Sequence, residues 1–139
     1  MLPARKLGRT GLKVSVLGLG GIPVRDREFD DAVQVVQAAL EHGLNFIDTA
    51  RGYGDSEGKI GAAVAATGMR RQVYLATKTP ERGAAGARAD VERSLKDLQT
   101  DYIDIYQLHG VDEKEDLKQV LAPNGALAAL KKAQQEGKV

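Results

Sequence analysis

Short apolar runs and amphipathic helical patterns alternate four times along this chain, about one pair per thirty residues, and this rhythm restricts the fold more than any other feature. The runs at 16–19, 44–47, 73–77 and 102–108 are too short for helices and are rich in Val, Ile, Leu and Tyr. Helices are predicted over 29–42, 56–66, 84–98 and 126–135. Val33, Val36, Ala39 and Leu40 share one face of the first, and Val91, Leu95 and Leu98 share one face of the third. Asp26 or Asp30 can cap the first helix and Gly43 can stop it; Ser56 can cap the second, and Gly137 can end the fourth. Strand followed by helix, repeated, implies a parallel sheet with right-handed crossovers and helices packed outside it.

The chain opens differently. Leu7-Gly8-Arg9-Thr10-Gly11-Leu12 sets two glycines around a polar pair between extendable flanks, which predicts a β-hairpin. Residues 111–118 read as a charged loop leading through Pro123-Asn124-Gly125 to the last helix. With 139 residues there is room for one domain. A doubly wound open sheet suits that length, whereas a complete (β/α)8 barrel needs about 250 residues. The ending Glu136-Gly137-Lys138-Val139 reads as a helix stop and the start of a further strand. The expected fold is therefore an α/β parallel barrel of TIM type, incomplete, with a hairpin ahead of its first four βα units.

In such architectures the loops after the strands share one rim, and reactive side chains gather there. Three strands run into polar residues of that kind: Asp48, with Tyr53 in the loop beyond it, Lys78, and His109. A phenol titrates near 10, and an adjacent ammonium favours its ionised form. Lys78 can supply that charge and Asp48 the counter-charge a partly buried lysine needs. His109 can donate a hydrogen bond to a carbonyl oxygen. Together these groups suit protonation of an oxygen as negative charge builds on it, which is what carbonyl reduction by hydride demands. No side chain donates hydride, so a cofactor is implied. Each residue also has a structural reading: Asp48 as a cap or turn residue, Tyr53 as a loop aromatic, Lys78 as a solvated strand end, His109 as a satisfied structural histidine. Their joint placement at successive strand exits favours the functional one. Gly20 and Gly21 fit either turn geometry or close backbone approach to a ligand.

Composition removes several classes. There is no cysteine, so disulfides, thiolate nucleophiles and zinc-thiolate sites are excluded within these residues, and no metal site is expected. Twenty Lys and Arg against nineteen Asp and Glu leave a net charge of +1, which gives no electrostatic case for a nucleic-acid or membrane partner. The N-terminus lacks the apolar core of a signal peptide, and no apolar run approaches the ~20 residues of a membrane span. A cytoplasmic protein is expected.

At its strand exits the chain resembles the N-terminal half of an aldo-keto reductase. The resemblance covers the whole sequence. It begins at Lys6-Leu7-Gly8-Arg9-Thr10-Gly11-Leu12-Lys13-Val14-Ser15, similar to the family's opening hairpin. It continues through Asn45-Phe46-Ile47-Asp48-Thr49-Ala50 with Tyr53 beyond, then Leu75-Ala76-Thr77-Lys78 and Asp104-Ile105-Tyr106-Gln107-Leu108-His109. It implies that Asp48, Tyr53, Lys78 and His109 match the catalytic tetrad, with Tyr53 as general acid, Lys78 and Asp48 tuning it and His109 orienting a small-molecule carbonyl. It implies NADPH as cofactor, with NADH as the alternative, and from this half mainly Gly20, Gly21 and Asp48 near the nicotinamide. Most of the family's grip on the cofactor lies in the other half of its barrel. The stretch from Asp116 to Pro123 resembles a branch that carries a C-terminal iron-sulfur module; without cysteine, that module does not lie in these residues. Two other outcomes are open at this point. One is a non-catalytic nucleotide-sensing or scaffold subunit on the same fold. The other is an inactive fragment that self-associates through an open barrel edge.

Overall fold

A computed structural model describes residues 2–139. Strands β1 (Ala4–Lys6) and β2 (Lys13–Ser15) form the expected antiparallel hairpin, with Arg5 opposite Val14. Its turn uses left-handed glycines, Gly8 at φ +50° and Gly11 at φ +81°, where a side chain would be strained. Asn45 ties the hairpin down: its Oδ1 accepts from Ser15 N at 2.6 Å and its Nδ2 donates to Lys13 O at 3.0 Å. Because Asn45 stands just before a sheet strand, the hairpin covers the N-terminal end of the sheet. The opposite end stays free for chemistry.

Strands β3 (Leu19–Gly20), β4 (Phe46–Asp48), β5 (Tyr74–Thr79) and β6 (Ile105–Leu108) form one parallel sheet in chain order. The register aligns Gly20 with Asp48, Asp48 with Ala76, and Ala76 with Ile105. Helices α1 (Ile22–Arg25), α2 (Phe29–Glu41), α3 (Ser56–Thr67), α4 (Ala84–Asp97), α5 (Lys114–Leu121) and α6 (Ala126–Gln135) accompany it. This is a partial barrel: four parallel strands, each followed by helix, with β3 and β6 as edges. The core lies between sheet and helices. Ile47, Val73 and Leu75 meet Val36 and Leu40 of α2 and Ile60 and Val64 of α3 in one buried cluster. A second cluster joins Ala87 of α4 to Ala126 and Ala129 of α6. Among the described residues, no helix is long and apolar enough to cross a membrane.

Several boundaries move. The run at 16–19 pairs only from Leu19, and Val16 and Leu17 are 52% and 56% exposed. Ser15 turns its hydroxyl onto Leu17 O at 2.6 Å, which bends the chain before it can join the sheet. The strand predicted over 102–108 begins at Ile105, because the Arg70 guanidinium takes Tyr102 O at 2.7 Å and the Asp104 carboxylate at 2.8 Å. The charged stretch read as a loop is mostly helix α5. Glu115 and Asp116 suit its N-terminal turn, and Val120 plugs into the cluster around Ala87 and Ala126. Neither Asp26 nor Asp30 caps α2; Glu28 holds that position with extended backbone and no side-chain bond. Asp55 precedes α3, and Ser56 is turned inward. Gly43 and Gly137 do adopt left-handed φ values of +89° and +75° after their helices.

Candidate active site

Strand pairing sets the first contact. Asp48 ends β4 beside Ala76, so Lys78, two residues on along β5, shares its face. Lys78 Nζ donates to Asp48 Oδ2 at 2.6 Å and to Thr49 O at 2.7 Å. The other carboxylate oxygen, Oδ1, accepts from Gln107 Nε2 of β6 at 3.1 Å. Three adjacent strands thus converge on one carboxylate. The alternate residues of β5 point the other way: Thr77 Oγ1 donates to Glu57 Oε1 of α3, and Thr79 Oγ1 to Asp90 Oδ2 of α4, each at 2.6 Å.

The aromatic groups close over this pair. Lys78 Nζ lies 5.1 Å from the centre of the Tyr53 ring, within the range of a cation–π attraction. The Tyr53 and His109 rings stand edge to face, with centroids 5.6 Å apart and planes at 86°. His109 follows β6 directly, and its backbone N–H donates to Thr79 O at 2.9 Å. Asp48, Tyr53, Lys78 and His109 therefore gather at the exit rim. The Lys78 side chain is only 14% exposed, and Asp48 and the Thr49 carbonyl are the hydrogen-bond partners of its ammonium.

The two glycines differ. A Cβ at Gly20 would meet no atom within 4 Å, so its backbone presents an open surface beside Asp48. At Gly21 a Cβ would fall 2.6 Å from Thr49 Oγ1 and 2.8 Å from Ser56 Oγ. Gly21 N also donates to Asp48 O at 2.7 Å, so this glycine has a packing reason of its own.

Arg82 was not legible from spacing, since a guanidinium two residues after Pro80 carries no motif. It donates to Pro80 O and His109 O at 2.9 Å, to Gly110 O at 2.7 Å, and through Nε to Asp116 at 2.9 Å. The loop that carries His109 is thereby tied to the one leaving β5. The hydrogen bond from Arg82 holds the Asp116 carboxyl below the usual carboxylate range. Gln107 gave no signal either, because within a strand it reads as an ordinary polar position. Among the described residues no group of three His, Asp or Glu side chains is placed to hold a metal. The four groups line an open rim; clefts lie elsewhere, among them one of about 340 Å³ between α4 and α6 and one of about 470 Å³ between β6 and α6.

Parallel strands, outer helices and a polar rim define an enzyme-like partial (β/α) barrel. The chain belongs to the aldo/keto reductase family, whose model matches residues 16–139. It is 37% identical over 147 aligned positions to L-galactose dehydrogenase of Arabidopsis thaliana, which covers 96% of this chain and 45% of that protein. The holo form of an aldo-keto reductase from Bacillus halodurans superposes with a TM-score of 0.79 at 31% identity, over 99% of this chain and 48% of that one. The Bombyx mori aldo-keto reductase in complex with NADP does so with a TM-score of 0.75 at 26% identity, over 99% and 48%. The chain spans between a third and a half of the length of the curated relatives it matches.

Proposed function

We propose that this chain supplies the proton-donating half of an active site for reduction of an aldehyde or ketone to an alcohol, with a nicotinamide cofactor as hydride source. One observation carries the proposal: Lys78 Nζ lies between the Asp48 carboxylate, at 2.6 Å, and the Tyr53 ring, at 5.1 Å from its centre. An ammonium there stabilises negative charge on the phenol oxygen once it has given up its proton, so Tyr53 acts as the general acid. Asp48 accepts a hydrogen bond from Lys78 and fixes its position, and Gln107 holds the carboxylate in its orientation. His109, packed edge to face against Tyr53, lies where a ring N–H can hold the carbonyl oxygen near the phenol.

The residues present fit the nicotinamide end of such a cofactor. Gly20 offers backbone without a side chain beside Asp48, and a flat ring needs that clearance. A reduced nicotinamide supplies the hydride to the carbonyl carbon when bound. Gly20, Gly21 and Asp48 are the cofactor-facing positions in this reading. NADPH is the first candidate, in keeping with the NADP complex of the Bombyx mori relative, and NADH the second.

Carbonyl-dependent oxidation of NADPH, followed at the cofactor's absorbance for the protein and for Tyr53→Phe, tests the proposal. Loss of the general acid should lower turnover by about 10²–10⁴-fold. Equal rates would remove Tyr53 from the mechanism. Tight cofactor binding with no turnover across a broad carbonyl panel would instead identify a nucleotide-sensing subunit.

A further inference from the structure

Behind the rim, on the helix side of the sheet, lies a buried charge that the proposed chemistry does not use. Glu57, in the first turn of α3, is 1% exposed. An isolated carboxylate at that depth is costly, and here both oxygens are engaged. Oε1 accepts from Thr77 Oγ1 at 2.6 Å, and Oε2 pairs with Arg51 Nη1, which also reaches Asp97 Oδ2 at 2.7 Å. The backbone N–H of Arg51 donates to Lys78 O at 3.0 Å.

These contacts close a ring. Thr77 is bonded covalently to Lys78; the Lys78 carbonyl is held by Arg51; the Arg51 guanidinium is held by Glu57; and Glu57 is held by Thr77. The ring joins the exit of β5, which carries the ammonium, to the segment after β4, which carries the phenol two residues beyond Arg51. The side-chain bonds among Thr77, Glu57 and Arg51 involve none of Asp48, Tyr53 or His109. We infer that Thr77, Glu57 and Arg51 are positioning residues that keep the Lys78 ammonium in register with Asp48 and with the Tyr53 loop. Their role as aids to catalysis rests on the function proposed above, whereas their hold on Lys78 does not.

Burial works against the Arg51 charge, but the hydrogen bond it donates to Asp97 and the charge of Glu57 outweigh it, and the guanidinium is held above its ordinary value. An apolar side chain in place of Thr77 leaves Glu57 with an unmet acceptor in a buried site. Relief comes most readily by movement of the Glu57–Arg51 pair, and the Lys78 carbonyl is attached to that pair.

Thr77→Val and Thr77→Ser separate positioning from simple stability. Valine keeps the β-branched shape and removes the hydroxyl; serine keeps the hydroxyl and removes a methyl group. The readout is proton exchange at the Lys78 ammonium in nitrogen-15-labelled protein, assigned with Lys78→Met, alongside the thermal midpoint. Thr77→Val should speed that exchange by about tenfold, the equilibrium factor of one lost hydrogen bond, and Thr77→Ser should restore slow exchange. Arg51→Gln, which breaks the ring at another point, should act like the valine variant if Thr77→Val does not fold. Any carbonyl turnover should fall in kcat with KM unchanged. Lowered thermal midpoints with Lys78 exchange unaltered in Thr77→Val and Arg51→Gln would reduce the ring to a fold contact. Altered exchange in a protein whose Tyr53→Phe variant keeps full activity would uphold the positioning role and overturn the proposed chemistry.

Discussion

Lys78 Nζ lies 2.6 Å from Asp48 Oδ2 across two neighbouring parallel strands, and the register that pairs Asp48 with Ala76 is what permits it. A slip of one residue would turn Lys78 toward α3, where Thr77 now bonds Glu57. The pair is thus a property of the sheet as much as of the two side chains. The rim inherits the rigidity of β5, whose residues from Leu75 to Ala76 are buried on both sides.

Lys78→Met keeps the length and the apolar stem of the side chain and removes the charge. Asp48 would retain only Gln107 as its cross-strand partner. Turnover should fall by about 10²-fold or more, as for loss of a group that stabilises charge in the transition state. Steady-state kinetics check this, with circular dichroism confirming that the fold survives.

Arg82→Met frees Pro80 O, His109 O and Gly110 O at once. Looser placement of His109 should raise KM for a carbonyl more than it lowers kcat, measurable over a substrate series. The change also removes the partner of Asp116, whose folded-state pKa is lowered mainly by that hydrogen bond. A lowered carboxylate pKa contributes stability above its unfolded value of about 3.9 and loses it as pH falls through the folded value. Acid unfolding curves of the variant should therefore flatten in that window relative to wild type.

Gly61→Ala should destabilise the fold without touching the rim. A Cβ at Gly61 would lie 2.3 Å from Asp97 O and 2.7 Å from the Leu98 backbone, because α3 and the end of α4 cross there in direct contact. Overpacking of this kind costs about 1–3 kcal/mol, which a urea titration resolves.

Expressed as these 139 residues, the chain is expected to self-associate. Strands β3 and β6 are both edges, with Val16 and Leu17 exposed near one. A cleft lined by Leu108, Leu127, Leu130 and Val139 lies at the other. Helix α2 bears Asp30, Asp31 and Glu41 and no basic residue, while α6 bears Lys131 and Lys132 and no acidic one, so contact between the two edges is favoured by charge as well. Sedimentation should show a mass that rises with concentration and falls with added salt. A monomer at all concentrations would refute it.

The strand–helix rhythm made the parallel sheet legible, because apolar runs of four or five residues between amphipathic segments have few other solutions. It also made Asp48, Tyr53, Lys78 and His109 legible, since each stands at or just beyond a strand's end. Helix α5 was hidden by its composition: its charged residues face water, and the burial of Val120 depends on α4 and α6 already being in place. The inward turn of Ser56 was hidden for a similar reason, since its partners, Thr49 and the Gly21 carbonyl, come from other segments.

By itself, then, the sequence determined the alternation of the four sheet strands with α2, α3, α4 and α6, and the rim on which the polar side chains stand, because those depend on local periodicity and on side-chain type. Register and convergence were decided only in three dimensions. That Gln107 completes the hold on Asp48, that Arg82 secures the His109 loop and that Glu57 lies buried behind Lys78 all follow from hydrogen bonds between residues 20 to 59 positions apart. Such contacts have no local signature. They form because buried polar groups must find partners, and the packed sheet and helices settle which ones are within reach.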